Sequence, residues 1–217
     1  MEKYVVLDLE MCTVPKHMRD ASYRYANEII QIGAVLLDED LKTIDEFSTF
    51  VAPQKGYLTG FISELTGITQ RDLSGAPVFE EAIESFLDWF PDDARLVTWS
   101  TTDESQLSRE AISKGVFEPK LFYMLENVID CQRMFGDMIG IGRPYKLEEA
   151  LYISDICLDG RLHDGLIDAR NTAQLFIKMK TETSFRFNEY YEEARSEDVA
   201  PLCSSLGGLL AGLTLAG

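Results

Sequence analysis

Apolar and polar positions follow one rhythm near the start of the chain and another further along. In KYVVLDLE (Lys3–Glu10) apolar residues fall on both parities, Val5, Leu7 and Leu9 on one and Tyr4 and Val6 on the other. A strand apolar on both faces predicts a central strand. EIIQIGAVLLD (Glu28–Asp38) and LKTIDEFSTFVAP (Leu41–Pro53) predict a second and a third strand. The short polar link between them predicts an antiparallel hairpin.

Gly60–Pro77 is rich in turn residues and predicts one short helix at most. In PVFEEAIESFLDWF (Pro77–Phe90), Phe79, Ala82, Ile83, Phe86, Leu87 and Phe90 repeat at helical spacing, and Pro77 suits a helix start. Arg95–Ser100 predicts a buried strand, and Asp103–Gly115 a helix stopped by glycine. Asn127–Gln132 predicts a short fifth strand and Lys146–Ile153 a helix. In Gly165–Lys180 a last helix carries Leu166, Ala169, Ala173 and Phe176 on one stripe. This order predicts an α/β fold: a mixed sheet, an antiparallel meander first and alternating units after it, covered by helices.

Past residue 182 the periodicity fades. Residues 1–182 are expected to form the domain. Residues 183–217 are expected to form a C-terminal extension, charged and then rich in Gly and Leu, either loosely ordered or docked on the body or on another subunit.

Composition narrows the class. A chain of 217 residues, 46% hydrophobic, can bury a sizeable core. No apolar run reaches the roughly 18 residues of a membrane span. The N-terminus lacks the apolar core and cleavage site of a secretory signal, so a soluble, cytoplasmic protein is expected. Cys12, Cys131, Cys157 and Cys203 lie far apart with no Cys-x-x-Cys, which points to reduced thiols. The formal net charge of −17 opposes a long basic face for duplex nucleic acid, but bound cations can reverse a local field.

The candidate chemistry is carboxylate-rich. Asp8 and Glu10 are two apart on a strand and leave one face. Ionised together in a partly dry site they repel, and a divalent cation with a taste for oxygen would compensate. A wet strand end is the alternative. Asp103 follows a buried strand, where ligands of open α/β sheets collect, although aspartate also favours helix starts. His163 is one of two histidines and precedes Asp168 by five residues. On one regular helix they would lie about 140° apart. His163 is therefore expected in the loop before the last helix, with Gly165 letting the chain turn and Asp168 aimed at the same cleft. The other histidine, His17, sits in a polar stretch and reads as solvated. Asp130 reads as a surface residue, with a supporting place behind the site as the alternative.

Together, VVLDLEMC, LVTWSTTDESQL and LHDGLIDARNTAQL resemble, in that order, the three motifs of the DEDDh branch of the DnaQ-like exonucleases. The resemblance covers residues 3 to about 180 and is nearest to the RNase T, Eri-type and KapD-like members. It implies a ribonuclease H-like fold and 3′–5′ hydrolysis of single-stranded RNA or DNA ends to 5′-mononucleotides. It further implies two divalent cations, Mg²⁺ or Mn²⁺, held by Asp8, Glu10, Asp103 and Asp168, with His163 as general base. LTGITQRDL (Leu65–Leu73) is similar to the loop set against the terminal nucleotide, which implies Met11, Cys12, Phe61, Thr66, Gly67 and Ile68 as substrate-binding residues. One departure stands out: Eri-type members carry an aromatic just before the second-motif aspartate, and here Thr102 occupies that place. A homodimer is also compatible with the family. A catalytically idle fold that binds nucleic acid or protein, and a phosphatase of small esters, are the competing readings. Four clustered acids argue against the first and the Asp-x-Glu order against the second.

Overall fold

A computed structural model describes residues 2–140 and 143–191. Strand β1 (Lys3–Thr13) pairs antiparallel with β2 (Asn27–Leu37), which pairs antiparallel with β3 (Thr43–Phe50). On its other side β1 pairs parallel with β4 (Ala94–Thr98), which pairs parallel with β5 (Ile129–Asp130). The sheet order is β3-β2-β1-β4-β5, a ribonuclease H-like mixed sheet with helices on both faces. No described helix is long and apolar enough to cross a membrane.

The two parities of β1 feed two cores. Val5, Leu7 and Leu9 pack with Phe79, Ile83 and Phe86 of helix α3 (Phe79–Trp89) and with Leu107 of helix α4 (Thr101–Lys114), which follow two short helices, α1 (Gly60–Thr66) and α2 (Gln70–Leu73). Tyr4 and Val6 pack with Ala169, Ala173 and Phe176 of the last helix, α8 (Gly165–Thr181). Each buried Val, Leu, Ile or Phe among them contributes roughly 1.5–3 kcal/mol of transfer free energy. Asp8 and Glu10 continue the parity of Tyr4 and Val6, so they emerge where the α8 core ends.

Three expectations need correction. Gly60–Pro77 holds two helices, α1 (Gly60–Thr66) and α2 (Gln70–Leu73). Thr59 accepts the Ile62 N–H at 3.2 Å to start α1, Gly67 ends it at φ 78°, and Asp72 accepts the Thr69 N–H at 2.8 Å to start α2. Turn chemistry here punctuates helices too short to show a period.

Second, the fifth strand is two residues long. Asp130 accepts the Arg133 N–H at 2.9 Å, so Cys131 and Gln132 open helix α6 (Cys131–Ile139). Helix α5 (Pro119–Glu126), with Pro119 in its first turn and Leu121 and Met124 buried, was not foreseen either. Third, α4 starts at Thr101 under a Ser100 cap, so Asp103 is its third residue and does not open it.

Helix α7 (Leu147–Ile153) matches expectation. Phe185 lies 6.4 Å from Phe135, and the Asn188 N–H donates to the Ile153 carbonyl at 2.7 Å, so this part of the extension lies on the body. The rest of the expected extension, 192–217 with Cys203, lies outside the described residues. Cys12, Cys131 and Cys157 are free thiols.

Candidate active site

The site begins where two backbones touch. An added Cβ on Gly33 would lie 2.1 Å from the Gly165 carbonyl carbon and 2.2 Å from the Leu166 nitrogen. One on Gly165 would lie 3.2 Å from the Asp8 carbonyl oxygen. Gly33 is the partner of Asp8 across β1 and β2, and Gln31 is the partner of Glu10. The missing side chains let the first turn of α8 press onto the sheet beside the acids. Gln31 locks it there: its Oε1 accepts the Gly165 N–H at 3.0 Å, and its Nε2 is 3.4 Å from Asp164 Oδ1. Asp164 caps α8 through the N–H groups of Leu166 and Ile167.

His163 stands in the loop before α8, as the sequence implied, but Gly165 does not supply the turn. The left-handed residue is His163 itself, at φ 64°. That conformation aims its N–H at Asp168, whose Oδ2 accepts it at 2.8 Å. The ring of His163 is exposed, while Glu10, Asp103 and Asp168 are buried and Asp8 is half-buried. One donor atom from each of Glu10, His163 and Asp168 lies within 4.8 Å of the others.

The electrostatics join all four acids. Burial, and then the charges of Asp103, Asp168 and Glu10, hold the Asp8 carboxyl well above its usual range. Burial, with Asp168 and Asp103 next, pushes Glu10 up to about 8. Burial also raises Asp103 to about 7, although N–H groups of Leu9 and of Asp103 itself pull the other way. Asp168 is raised chiefly by burial, against the His163 N–H. Its Oδ1 is buried with no hydrogen-bond partner. Converging carboxylates that lack positive charge, one with a bare oxygen, fit hard divalent cations.

Of the residues expected to bind substrate, Phe61 is 70% exposed and Met11 half-buried. Cys12 and Ile68 are buried in a small apolar cluster with Ile30 and Leu73. The Thr66 hydroxyl donates to the Ile62 carbonyl at 2.8 Å and accepts the Ile68 N–H at 3.1 Å. Gly67 is exposed beneath the Arg161 guanidinium. Asp130 is the α6 cap, and His17 is exposed in a 3₁₀ turn, Lys16–Met18.

Sequence reasoning missed three features. Gln31 and Asp164 carry ordinary signals, an Asp before Gly-Leu-Ile in the case of the cap. Arg161 gives none: its Nη2 donates to the carbonyls of Glu64 and Leu65, tying the His163 loop to the end of α1. Third, behind the site Lys114 Nζ sits 2.7 Å from Glu28 and 2.9 Å from Glu110, all three almost fully buried, which pins α4 to β2.

A profile of the exonuclease family of RNase T type matches residues 5–176, a span that contains every one of these acids. The chain belongs to this family, the DnaQ-like DEDDh exonucleases. Among curated relatives, the PolC-type DNA polymerase III of Caldanaerobacter subterraneus is 33% identical over 82% of this chain and 11% of its own length. The ERI1 exoribonuclease 2 of Danio rerio is 33% identical over 71% of this chain and 32% of its own. The chain thus spans only a minor part of the length of both relatives. Its fold matches the nuclease domain of 3′hExo, solved with rAMP, at a TM-score of 0.70 and 24% identity, over 87% of this chain and 96% of that one.

Proposed function

We propose that the chain is a 3′–5′ exonuclease that hydrolyses the terminal phosphodiester of single-stranded RNA or DNA and releases 5′-mononucleotides. The observation that supports this reading is that Glu10, His163 and Asp168 each bring a ligand atom within 4.8 Å of the others, while the charges of Asp103, Asp168 and Glu10 all act on the Asp8 carboxyl. Asp8 and Glu10 from β1, Asp103 from α4 and Asp168 from α8 would hold two divalent cations, Mg²⁺ or Mn²⁺. Such cations, when bound, neutralise charge on the phosphodiester and ease deprotonation of water.

His163 accepts the proton of the attacking water. His163 is exposed, so a proton taken up by its ring can pass on to solvent. The N–H to Asp168 fixes the His163 backbone, so the ring is presented from a held loop. Phe61, Met11, Thr66 and Gly67 would border the terminal nucleoside, with Cys12 and Ile68 packed behind them. Two relatives support the substrate class by name: the exoribonuclease of Danio rerio and the 3′-5′ exonuclease Snipper of Drosophila melanogaster, 27% identical over 70% of this chain and 60% of its own length.

Digestion of 5′-labelled single strands of RNA and of DNA with Mg²⁺ tests the reading. The expected result is a ladder that shortens from the 3′ end and is abolished by chelator and in Asp8→Asn. Full-length label on both polymers after long incubation would defeat it.

A further inference from the structure

The loop between β1 and β2 departs from the charge of the rest of the chain. It carries Lys16, Arg19 and Arg24 against a single acid, Asp20, in a protein of net charge −17. It leaves the carboxyl end of the strand that bears Asp8 and Glu10. Asp20 is taken by Lys55 at 3.0 Å, and Arg19 is turned inward onto the Val14 carbonyl. Arg24 remains exposed, with its guanidinium carbon 5.7 Å from the centroid of Tyr25. The guanidinium of Arg109 lies over the same ring at 5.8 Å, and it too is exposed.

Neither arginine has a carboxylate partner among the described residues. Two like charges gathered over one ring in an acidic protein make a local demand for an anion. The ring restrains both guanidinium groups, which lowers the entropy lost on binding.

The foundation is rigid and shared with the site. Tyr25 packs edge-on against Tyr23 at 5.8 Å. The Tyr23 hydroxyl donates to the Asn27 carbonyl at 2.6 Å, and Gln106 of α4 donates to the same carbonyl at 3.1 Å. Arg109 lies on α4, which also carries Asp103, six residues earlier and so about 9 Å along the axis. Seven residues separate Thr102 from Arg109, about two turns, so they share one stripe of α4. The stripe that lacks an aromatic at Thr102 thus meets an Arg–Tyr–Arg group two turns further on.

We propose that Arg24, Tyr25 and Arg109 form a second contact for single-stranded nucleic acid, holding backbone phosphate on the 5′ side of the scissile linkage. This rests on the exonuclease reading, because the 3′ end must lie among the acids for the strand to run over α4. The arginines supply the phosphate donors, and their planes offer a surface for base stacking.

The test compares the parent with Arg24→Ala/Arg109→Ala and with Tyr25→Ala and Tyr25→Phe, each checked for an unshifted melting temperature. Substrates are a dinucleotide and a single strand of ~8 nucleotides, near the smaller site sizes of single-strand binders. In the parent, kcat/KM favours the longer strand. The double arginine variant should lose about tenfold or more of that advantage, mainly through KM, and its log–log salt slope should fall by about 1.4, roughly 0.7 for each phosphate contact on a single strand. Tyr25→Ala should lose part of the advantage and Tyr25→Phe should restore it.

Binding of the same fluorescent strand in chelator separates the two layers of the argument. Hydrolysis by the parent with length preference and salt slope unaltered in the arginine variant would overturn the subsite alone. Arginine-dependent binding without mononucleotide release would overturn the exonuclease reading and keep Arg24, Tyr25 and Arg109 only as a single-strand contact. Neither binding nor hydrolysis by the parent would overturn both.

Discussion

The backbone of Gly165 lies so close to Gly33 that Gly33 has no room for a side chain. Three backbone atoms lie within 2.4 Å of where a Gly33 Cβ would stand, and backbone cannot swing aside as a flexible side chain can. Gly33→Ala must therefore push α8 off the sheet, and Asp168 with it. Overpacking of this kind costs about 1–3 kcal/mol, and here activity should fall with stability. Gly60→Ala meets nothing within 4 Å and should move stability by no more than about 0.5 kcal/mol. Thermal melts and nuclease assays of the pair check this; an active, stable Gly33→Ala would refute the contact.

His163 holds the left-handed conformation that presents its N–H to Asp168, and asparagine tolerates that conformation better than alanine does. His163→Asn should keep the fold and the N–H while losing the proton acceptor. We expect kcat to fall about 10²–10⁴-fold with little change in melting temperature. The remaining activity should rise with pH as hydroxide replaces the missing base. Parent-like kcat in this variant would remove His163 from the chemistry.

The acids also set a pH dependence of stability. Glu10 is raised from 4.5 to about 8 and Asp103 from 3.8 to about 7, so the folded state binds more protons than the unfolded state between those values. Stability without cations must fall as pH rises through that window. Calorimetry in chelator should show a lower melting temperature at pH ~8 than at pH ~5. Saturating Mg²⁺ or Mn²⁺ should restore more of it at the higher pH, because bound cations favour the ionised folded state. A cation-induced shift that is the same at both pH values would contradict the coupling.

Lys114 answers two buried carboxylates at once, at 2.7 Å and 2.9 Å. Removing one partner of a buried pair strands the other charges, at a cost of about 3–5 kcal/mol. Lys114→Met should destabilise by that amount in denaturant unfolding and loosen α4, which carries Asp103. Loss of less than about 1 kcal/mol would show that the network does not hold the helix.

Much of this was legible in the residues. The two parities of β1, the helical repeat of Phe79–Leu87 and the stripe of α8 are long enough to show their period. Their contacts follow it. The acids and His163 were picked out by motif: Asp103, His163 and Asp168 stand at or near the starts of α4 and α8, while Asp8 and Glu10 lie inside β1. Short elements were not: α1 and α2 are set by their caps, and α5, only eight residues long, by Pro119 in its first turn and by burial of Leu121 and Met124. In Val128–Ile129 the β-branched pair reads as strand, yet the Asp130 side chain turns the next residues into helix. Arg161 and the Lys114 network bind partners far away in the chain, so no local pattern announces them. Gly165 was singled out for a turn, whereas its use is close approach and the turn belongs to His163.

The central claim is that acids from β1, α4 and α8 meet to hold divalent cations. Mn²⁺ binding measured by titration calorimetry at neutral pH, on the parent and on Asp8→Asn and Asp168→Asn, tests it most directly. The account predicts saturable binding by the parent, approaching two ions per chain, and loss of at least one ion in each variant. No saturable binding by a folded parent, or binding undisturbed in both variants, would contradict it.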